Sequence, residues 1–404
     1  MEIKTVKTEK TVFGGNTIAK VDSKTVFIPY SMPGETLSVN IVQHKNDYDN
    51  AEILEILEPS PHRVTPACKY YGNCGGCNMM HISTDFQRQI RKEMLCDAFG
   101  KYKIDIKDKI EVVTGPDFNY RSRFQFIDGG LSQKSTNNVI KIDECLCAEK
   151  PVNDFLKNTQ FENRPKGRAH YFGSEKLCTE EKLKIEIPVP KAEGPKIKSN
   201  KKIKLKEKHY FSGTILSEEN TATVNLNGKT LSFDVRGFFQ SNLYVFEKVL
   251  NLITQSLPGG ENILDMYSGC GSISVFLKDK YKNVSLVEHN RDALVYAEKN
   301  MNGLTHTSYG LSGASWVKNC ASFCPPFDAC VVDPPRSGME KEVLDYLCKS
   351  KIPYIRSLSC DPSTHARDCE RLIKAGYRLE KIYLLDFYPH TSHIESLAIF
   401  NLGL

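Results

Sequence analysis

The chain reads as an α/β domain joined to β-rich modules, and three observations predict this. From about residue 238 strand-like and helix-like runs alternate, the pattern of a doubly wound parallel sheet. Residues 1–58 carry short strand-like runs split by Gly14-Gly15 and Met32-Pro33-Gly34, the pattern of a small OB-like barrel. Between them, residues 59–83 are rich in Pro, Gly and Cys and will not pack as regular structure. At 404 residues the chain is long for one domain. Three segments are expected: a barrel over 1–58, a central β-rich domain over 59–235, and the α/β domain over 236–404.

Composition narrows the class. Hydrophobic residues at 40% and charged residues at 25% describe a soluble globular chain rather than a disordered one. No run of about 18 apolar residues occurs, so no transmembrane helix and no membrane partner are expected. The start, MEIKTVKTEK, lacks the apolar core of a secretory signal, and the cytoplasm is the expected compartment. The 14 cysteines are then thiols, metal ligands or catalytic groups rather than a disulfide frame. A net charge of +5 fits an anionic partner, and residues 195–209 (PKIKSNKKIKLKEKH) concentrate seven lysines against one glutamate.

In chain order, TVFIPY (25–30), LSVNIV (37–42) and AEILEIL (51–57) are the barrel strands. Such barrels often bind nucleic acid, and a purely structural β module is the bland alternative. Thr84 with Gln87 reads as a capping box opening a helix through FQRQIRKEMLCDAF. RSRFQFID and TATVNL are strands of the central segment, interrupted by the lysine run. In the last segment ILDMY, VSLVE, ACVVD and YIRSLSC are buried strands. SISVFLKDK, DALVYAEKN, EKEVLDYLCKS and STHARDCERLIKAG are the intervening helices. YRLEKIYLLDF and ESLAIFNL leave no room for a helix between them and predict an antiparallel closing hairpin.

Five motifs carry chemistry. Asp265-Met-Tyr-Ser-Gly-Cys-Gly271 leaves a strand and enters a helix, as a nucleotide-binding turn does. A dinucleotide fingerprint would place a third glycine where Ser274 stands, and Glu288 ends the next strand, placed to bond a ribose diol. S-adenosylmethionine therefore fits better than NAD, and a glycine-rich turn binding nothing is the bland alternative. Asp333-Pro-Pro-Arg336 ends a third strand as a stiff floor beside that pocket. Cys360 closes a fourth, where a nucleophile would be displayed. Arg367 and the N-terminus of the following helix are expected to lower its thiol pKa. Glu395, after Phe387-Tyr-Pro-His-Thr-Ser-His393, begins the final strand near the same edge and suits a general base. The bland readings are an inert core cysteine and a solvated turn glutamate. Last, Cys68-x5-Cys74-x2-Cys77, in a loop with Gly72, Gly75 and Gly76, approaches an iron–sulfur spacing, with four-cysteine zinc the rival. Cys145 or Cys147 would supply the fourth thiolate.

Taken in order, these motifs resemble the RNA uracil-5 methyltransferase family that carries a TRAM domain, closest to its iron–sulfur 23S rRNA (uracil-5-)-methyltransferases. The FIPYSMPGE stretch resembles a TRAM barrel and PSPHRVTPACKYYGNCGGCNMMH the family's cluster loop. RGFFQSN, DMYSGCG, VDPPRSG, SLSCDPSTHARD and FYPHTSHIE match its catalytic motifs. The resemblance implies a Rossmann-like S-adenosylmethionine-dependent methyltransferase domain. It implies cofactor contacts from Gln240, Tyr267, Glu288 and Asp333, with Ser272 standing where the family often has Asn. It makes Cys360 the nucleophile and Glu395 the base, and puts a [4Fe-4S] cluster on Cys68, Cys74, Cys77 and Cys145. It implies an RNA substrate, ribosomal rather than transfer, and no obligate protein partner. The contrasting classes are a tRNA uracil-5 methyltransferase, a non-catalytic RNA-binding or chaperone protein on a retained cofactor fold, and an NAD-linked iron–sulfur reductase. The lysine run 195–209 matches no family motif.

Overall fold

The computed structural model describes residues 2–187 and 220–403, and the lysine run 195–209 lies outside them. The N-terminal strands are β1 (Glu2–Lys7), β2 (Lys10–Thr11), β3 (Thr17–Val21), β4 (Lys24–Ile28), β5 (Thr36–His44) and β6 (Tyr48–Glu58). They form one sheet in the order β1-β5-β6-β4-β3-β2. Contact between β1 and β3, which are not neighbours in that order, shows that the sheet curls on itself. Alternate residues of β5 (Leu37, Val39, Ile41) meet Val6, Ala19, Val26 and Ile28 in a core of their own. Fully buried Glu35 ties this unit to the next segment, bonding Arg63 Nε at 2.5 Å and Nη2 at 2.7 Å. Burial alone would raise its pKa. The Arg63 bonds and the backbone N–H groups of Ser60 and Met32 outweigh burial and hold it below the usual value.

α1 (Thr84–Gly100) forms as expected, but not through a capping box. Ser83 is the N-cap and makes no side-chain cap bond. Gln87 points into the core instead. Its Nε2 donates to the Ile82 carbonyl at 2.7 Å and its Oε1 accepts from the His390 N–H at 2.8 Å. The local capping pattern loses to a partner 303 residues away.

The middle of the chain supplies β7 (Ile110–Val113), β8 (Arg123–Ile127), β9 (Leu131–Ser132), β10 (Val139–Ile140), α2 (Lys150–Asn158), β11 (Arg168–Gly173), β12 (Leu183–Glu186), β13 (Thr221–Leu226) and β14 (Lys229–Asp234). β12-β11-β8 form an antiparallel sheet covered on one face by α2, with Phe124, Phe126, Ala169, Tyr171 and Val152 between them. β13 and β14 make a hairpin.

The rest is α3 (Leu243–Gln255), β15 (Gly260–Met266), α4 (Ser274–Leu277), β16 (Tyr281–Val287), α5 (Arg291–Asn300), β17 (His306–Tyr309), α6 (Gly313–Asn319), β18 (Ala329–Val332), α7 (Lys341–Ser350), β19 (Tyr354–Ser359), α8 (Pro362–Lys374), β20 (Tyr377–Leu385) and β21 (Glu395–Leu402). Eight strands join in the order β17-β16-β15-β18-β19-β21-β20-β7. β17 to β19 are mutually parallel in that order, and β21 runs antiparallel to both its neighbours, as the closing hairpin predicts. The two faces carry separate cores. Ile263, Ala329 and Val331 pack with α3 and α5 residues, while Leu264, Cys330 and Val332 pack with α1, α7 and α8 residues.

Five features depart from the segment-by-segment expectation. β7 joins the large sheet beside β20, and α1 packs on α8, although both lie in the 59–235 segment. The SISVFLKDK helix shrinks to the short α4, bounded by turns. α2, α3 and α6 add helices, and β17 adds an edge strand. Among the described residues no helix is long and apolar enough to cross a membrane.

Candidate active site and cysteine cavity

One edge of the eight-stranded sheet collects the motif residues. β15, β16, β18 and β19 are parallel and end at Met266, Val287, Val332 and Ser359. Tyr267, Glu288, Asp333 and Cys360 are the next residues, at the carboxyl ends where open α/β sheets bind ligands. β21 runs the other way, so its first residue, Glu395, arrives at the same edge. Ser359 pairs with Ser396, which sets Glu395 opposite Cys360.

The glycine loop is held tightly. Tyr267 has φ of +67°, a costly conformation for an aromatic residue. Its N–H donates to Val287 O at 2.9 Å, and its hydroxyl accepts from the Glu340 N–H at 3.2 Å. Gly271 lies so close to α5 that a Cβ would stand 3.3 Å from Ala297. Glu288 accepts from the Gly269 N–H at 3.0 Å and the Asn290 N–H at 2.6 Å. Ser272 follows Gly271, its hydroxyl beside the Cys270 thiol. Ser274, at the missing-glycine position, donates to Asp265 Oδ2 at 2.5 Å. Asp265 is buried, and its Oδ1 has no partner among the described residues.

Three carboxylates therefore share this pocket. Burial, then the charges of Asp333 and Glu288, push Asp265 up to about 7. Burial raises Asp333 to about 6. Such a cluster is relieved by a cation and aggravated by an anion. The sulfonium and amine of S-adenosylmethionine suit it, whereas the pyrophosphate of NAD does not. Gln240 lies in the preceding loop, between buried Phe239 and Ser241. The Ser122 N–H and hydroxyl both donate to Ser241 O, at 2.8 and 2.9 Å. Asn242 caps α3 and donates to Phe387 O at 3.1 Å, tying this loop to the FYPHTSHIE segment.

Cys360 and Glu395 perturb each other. Burial, then the charges of Glu395 and Asp333, raise the Cys360 thiol to about 11, against the opposing pull of Arg336. Burial, then Asp333, raise Glu395 to about 8, again opposed by Arg336. This corrects the expected source of thiol activation. Arg367 turns away, bonding Asp368 Oδ1 at 2.8 Å and Ser337 O at 3.1 Å. The α8 N-terminus is capped by Asp361, which accepts from the Ser363 and Thr364 N–H groups at 3.0 and 2.9 Å. The cation whose charge acts on the thiol is Arg336. His365 on α8 meets the Ser396 hydroxyl at 2.7 Å, linking the helix after Cys360 to the strand of Glu395.

Away from this pocket, Cys68, Cys74, Cys77, Cys145 and Cys147 all line one cavity of about 590 Å³. Among the described residues no three His, Cys, Asp or Glu side chains converge to hold a single metal ion. The sulfurs ring the cavity instead, with Cys77 and Cys147 in contact at 3.8 Å. The Gly76 N–H donates to Cys74 Sγ at 3.4 Å, and the Tyr70 and Tyr71 N–H groups support Cys68. A cavity lined by five cysteines, with backbone donors on some of the sulfurs, has the donor set that an iron–sulfur group would use. Cys145 and Cys147 both line this cavity. Asn153 clamps Cys145 through its N–H and carbonyl, at 2.8 and 2.9 Å, and the Tyr120 and Arg121 N–H groups hold the Cys147 carbonyl.

Some functional geometry had no sequence signal. Arg336 stands in the quoted DPPR motif, but nothing in spacing shows that its charge acts on both Cys360 and Glu395. Asn78, beside the cysteines, bonds Gly14 O at 3.0 Å and Ser392 at 2.9 Å, joining the N-terminal sheet, the cysteine loop and the loop before Glu395. Gly15 is required there, because a Cβ would fall 2.5 Å from Asn78 Nδ2.

The family model for tRNA (uracil-5-)-methyltransferase matches residues 322–401, which include Asp333, Cys360 and Glu395. A Treponema denticola protein named "uncharacterized RNA methyltransferase" is 37% identical over 99% of this chain and 100% of its own length. A Shewanella sp. (strain MR-4) protein, 23S rRNA (uracil(1939)-C(5))-methyltransferase RlmD, is 28% identical over 96% of this chain and 93% of its own. The solved structure of Pyrococcus abyssi tRNA (uracil-54, C5)-methyltransferase with S-adenosyl-L-homocysteine shares the fold, with a TM-score of 0.71, 21% identity, and cover of 98% and 100%. With relatives that span nearly its whole length, one of them 37% identical, the chain belongs to the RNA uracil-5 methyltransferase family.

Proposed function

We propose that this methyltransferase modifies C5 of a uridine in 23S rRNA, with Cys360 as nucleophile and Glu395 as base. The observation that carries the catalytic assignment is the register that sets these two residues opposite each other at the carboxyl edge. C5 of uracil is a poor nucleophile. Attack by the Cys360 thiolate at C6 breaks the C5–C6 double bond and leaves an enolate with electron density on C5. When bound, S-adenosylmethionine supplies an electrophilic methyl group, which C5 takes up. Glu395 then removes the C5 proton, the C5–C6 double bond re-forms, and the Cys360 thiolate leaves. Arg336 opposes the charge repulsion that Asp333 and Glu395 impose on the thiolate. The target base must be unstacked to meet Cys360.

In this proposal Gln240, Tyr267, Ser272, Glu288 and Asp333 hold the cofactor. The curled N-terminal sheet serves as a TRAM-type RNA-binding barrel, and the protein works in the cytoplasm. The cysteine cavity holds a [4Fe-4S] cluster through Cys68, Cys74, Cys77 and Cys145, with Cys147 the competing fourth ligand. Four cysteine ligands leave no open iron, which supports a structural role. The ribosomal substrate rests on the full-length likeness to the Shewanella protein. Mapping 5-methyluridine in total RNA from cells with and without the gene tests it. Loss from one 23S rRNA position is expected, and loss from tRNA instead would move the assignment to transfer RNA.

A further inference from the structure

The β12-β11-β8 sheet has one face on α2 and another that leads to the catalytic pocket. Residues paired across strands share a face, and the register pairs Arg123 with Phe172, Gln125 with His170, and Ile127 with Arg168. At one end of this second face Phe172 is covered by Phe233 and Phe239. Beyond it Gln125 and Arg168 are exposed. Arg121 adjoins, its Nε donating to Arg123 O at 3.0 Å, and Arg236 closes the far side, its carbonyl accepting from Arg123 Nη2 at 3.4 Å.

Among the described residues these cations outnumber the anions beside them. Arg236 pairs with Asp234 at 2.6 Å, and Glu186 lies across from His170. Arg121, Arg123 and Arg168 form no ion pair among the described residues. Two buried atoms of these residues, Arg123 Nε and His170 Nδ1, have no hydrogen-bond partner among the described residues either. Burial, then the charges of Arg123, Arg168 and Arg236, push the His170 pKa down.

The cluster is continuous with the active site. The Ser122 N–H, between Arg121 and Arg123, donates to Ser241 O next to Gln240. Tyr388 lies in the field of Glu395 and of both Arg121 and Arg123. Arg123 and Arg168 sit four register positions apart, roughly 13 Å along the strands, room for more than one phosphate.

The geometry points to this face as the docking track for the phosphate backbone of the RNA strand flanking the target uridine. The inference rests on the RNA methyltransferase reading and adds where the strand runs. Unpaired arginine forks beside a base-accepting pocket match repeating phosphates bidentately. Phosphate contacts would also fix the register of the strand, so that the correct base enters.

The test uses the full chain and an unmodified 23S rRNA transcript, with binding measured over a range of salt. Arg123→Gln/Arg168→Gln should weaken binding by roughly a hundredfold, tenfold per arginine, and flatten the log K–log salt slope by about two. S-adenosylmethionine binding should not change, and neither binding should change in Lys374→Gln, on the outer face of α8. Exposed Arg168→Glu alone should lower affinity and slope if the double variant fails to fold. Unchanged affinity and slope in folded variants that still bind S-adenosylmethionine would overturn the docking track while leaving the methyltransferase reading intact. A wild-type protein that binds neither the rRNA transcript nor tRNA at any salt would overturn both.

Discussion

Replacing Glu395 by Gln should stabilise this protein at alkaline pH while abolishing its turnover. The carboxyl group is ordinarily half-ionised near pH 4.5, but here stands at about 8, because burial and Asp333 disfavour its charge more than Arg336 supports it. The folded state therefore holds this proton more tightly than the unfolded chain does. The favourable contribution is complete below pH 4.5 and is lost progressively as pH rises through about 8. At about 1.4 kcal/mol per pH unit, the shift sets a ceiling of about 5 kcal/mol on the cost of the ionised group. Glu395 keeps some solvent contact and its proton is shared in effect with Asp333 and Cys360, so about 2 kcal/mol is the expected net value. Urea unfolding at pH 5 and pH 8.5, without cofactor, measures it. Glu395→Gln should exceed wild type by about 2 kcal/mol at pH 8.5 and by much less at pH 5. Equal stability at pH 8.5, or a less stable variant, would mean that the carboxylate is solvated or ion-paired, and the electrostatic account of the site would be refuted. In the wild type, turnover should keep rising with pH across the range in which Glu395, at about 8, and the Cys360 thiol, at about 11, ionise.

Three further outcomes follow from the same geometry. Glu395→Gln should still attack and methylate but stall before proton removal, giving a slow-moving protein–RNA band on denaturing gels. Cys360→Ala should give no such band while binding both ligands. Asp265→Asn, which removes one of three converging carboxylates, should weaken S-adenosylmethionine binding by about tenfold in calorimetry, and wild type should bind NADH negligibly. Unchanged affinity would show that Asp265 does not face the cofactor. Anaerobically purified protein should be brown, with about four irons per chain. Cys145→Ser should lose the iron and Cys147→Ser keep it, whereas the reverse pattern would make Cys147 the ligand and one zinc without visible absorbance would exclude the cluster.

The parts of the fold legible in sequence are those whose signal is local. ACVVD is a short apolar run between two parallel neighbours, buried along its length, and its end falls where the pattern stops. The closing hairpin was legible because the linker between β20 and β21 is too short for a helix. What escaped depends on distant partners. IEVV at β7 carries no mark saying that it pairs with β20, some 270 residues later, so it stayed with the central segment. The capping box failed because Gln87 serves His390. The Arg367 assignment failed because one turn into a helix fixes distance along the axis but not the side faced, and Arg367 faces Asp368. Arg336 sits on an irregular turn, where no periodicity tells which groups it meets. The cysteine spacing was informative because three of the thiols lie within ten residues. Choosing between Cys145 and Cys147 was not, because both reach the same cavity.

The central claim is a covalent bond between Cys360 and the target uridine. Incubating the protein with S-adenosylmethionine and 5-fluorouridine-substituted RNA should arrest the reaction after methyl transfer, since fluorine cannot leave C5 as a cation. Nuclease and protease digestion followed by mass spectrometry should then find a methylated fluorouridine on the peptide containing Cys360 and on no other cysteine. A methylated product with no covalent peptide, or a nucleotide attached at Cys324 or Cys330, would contradict the account.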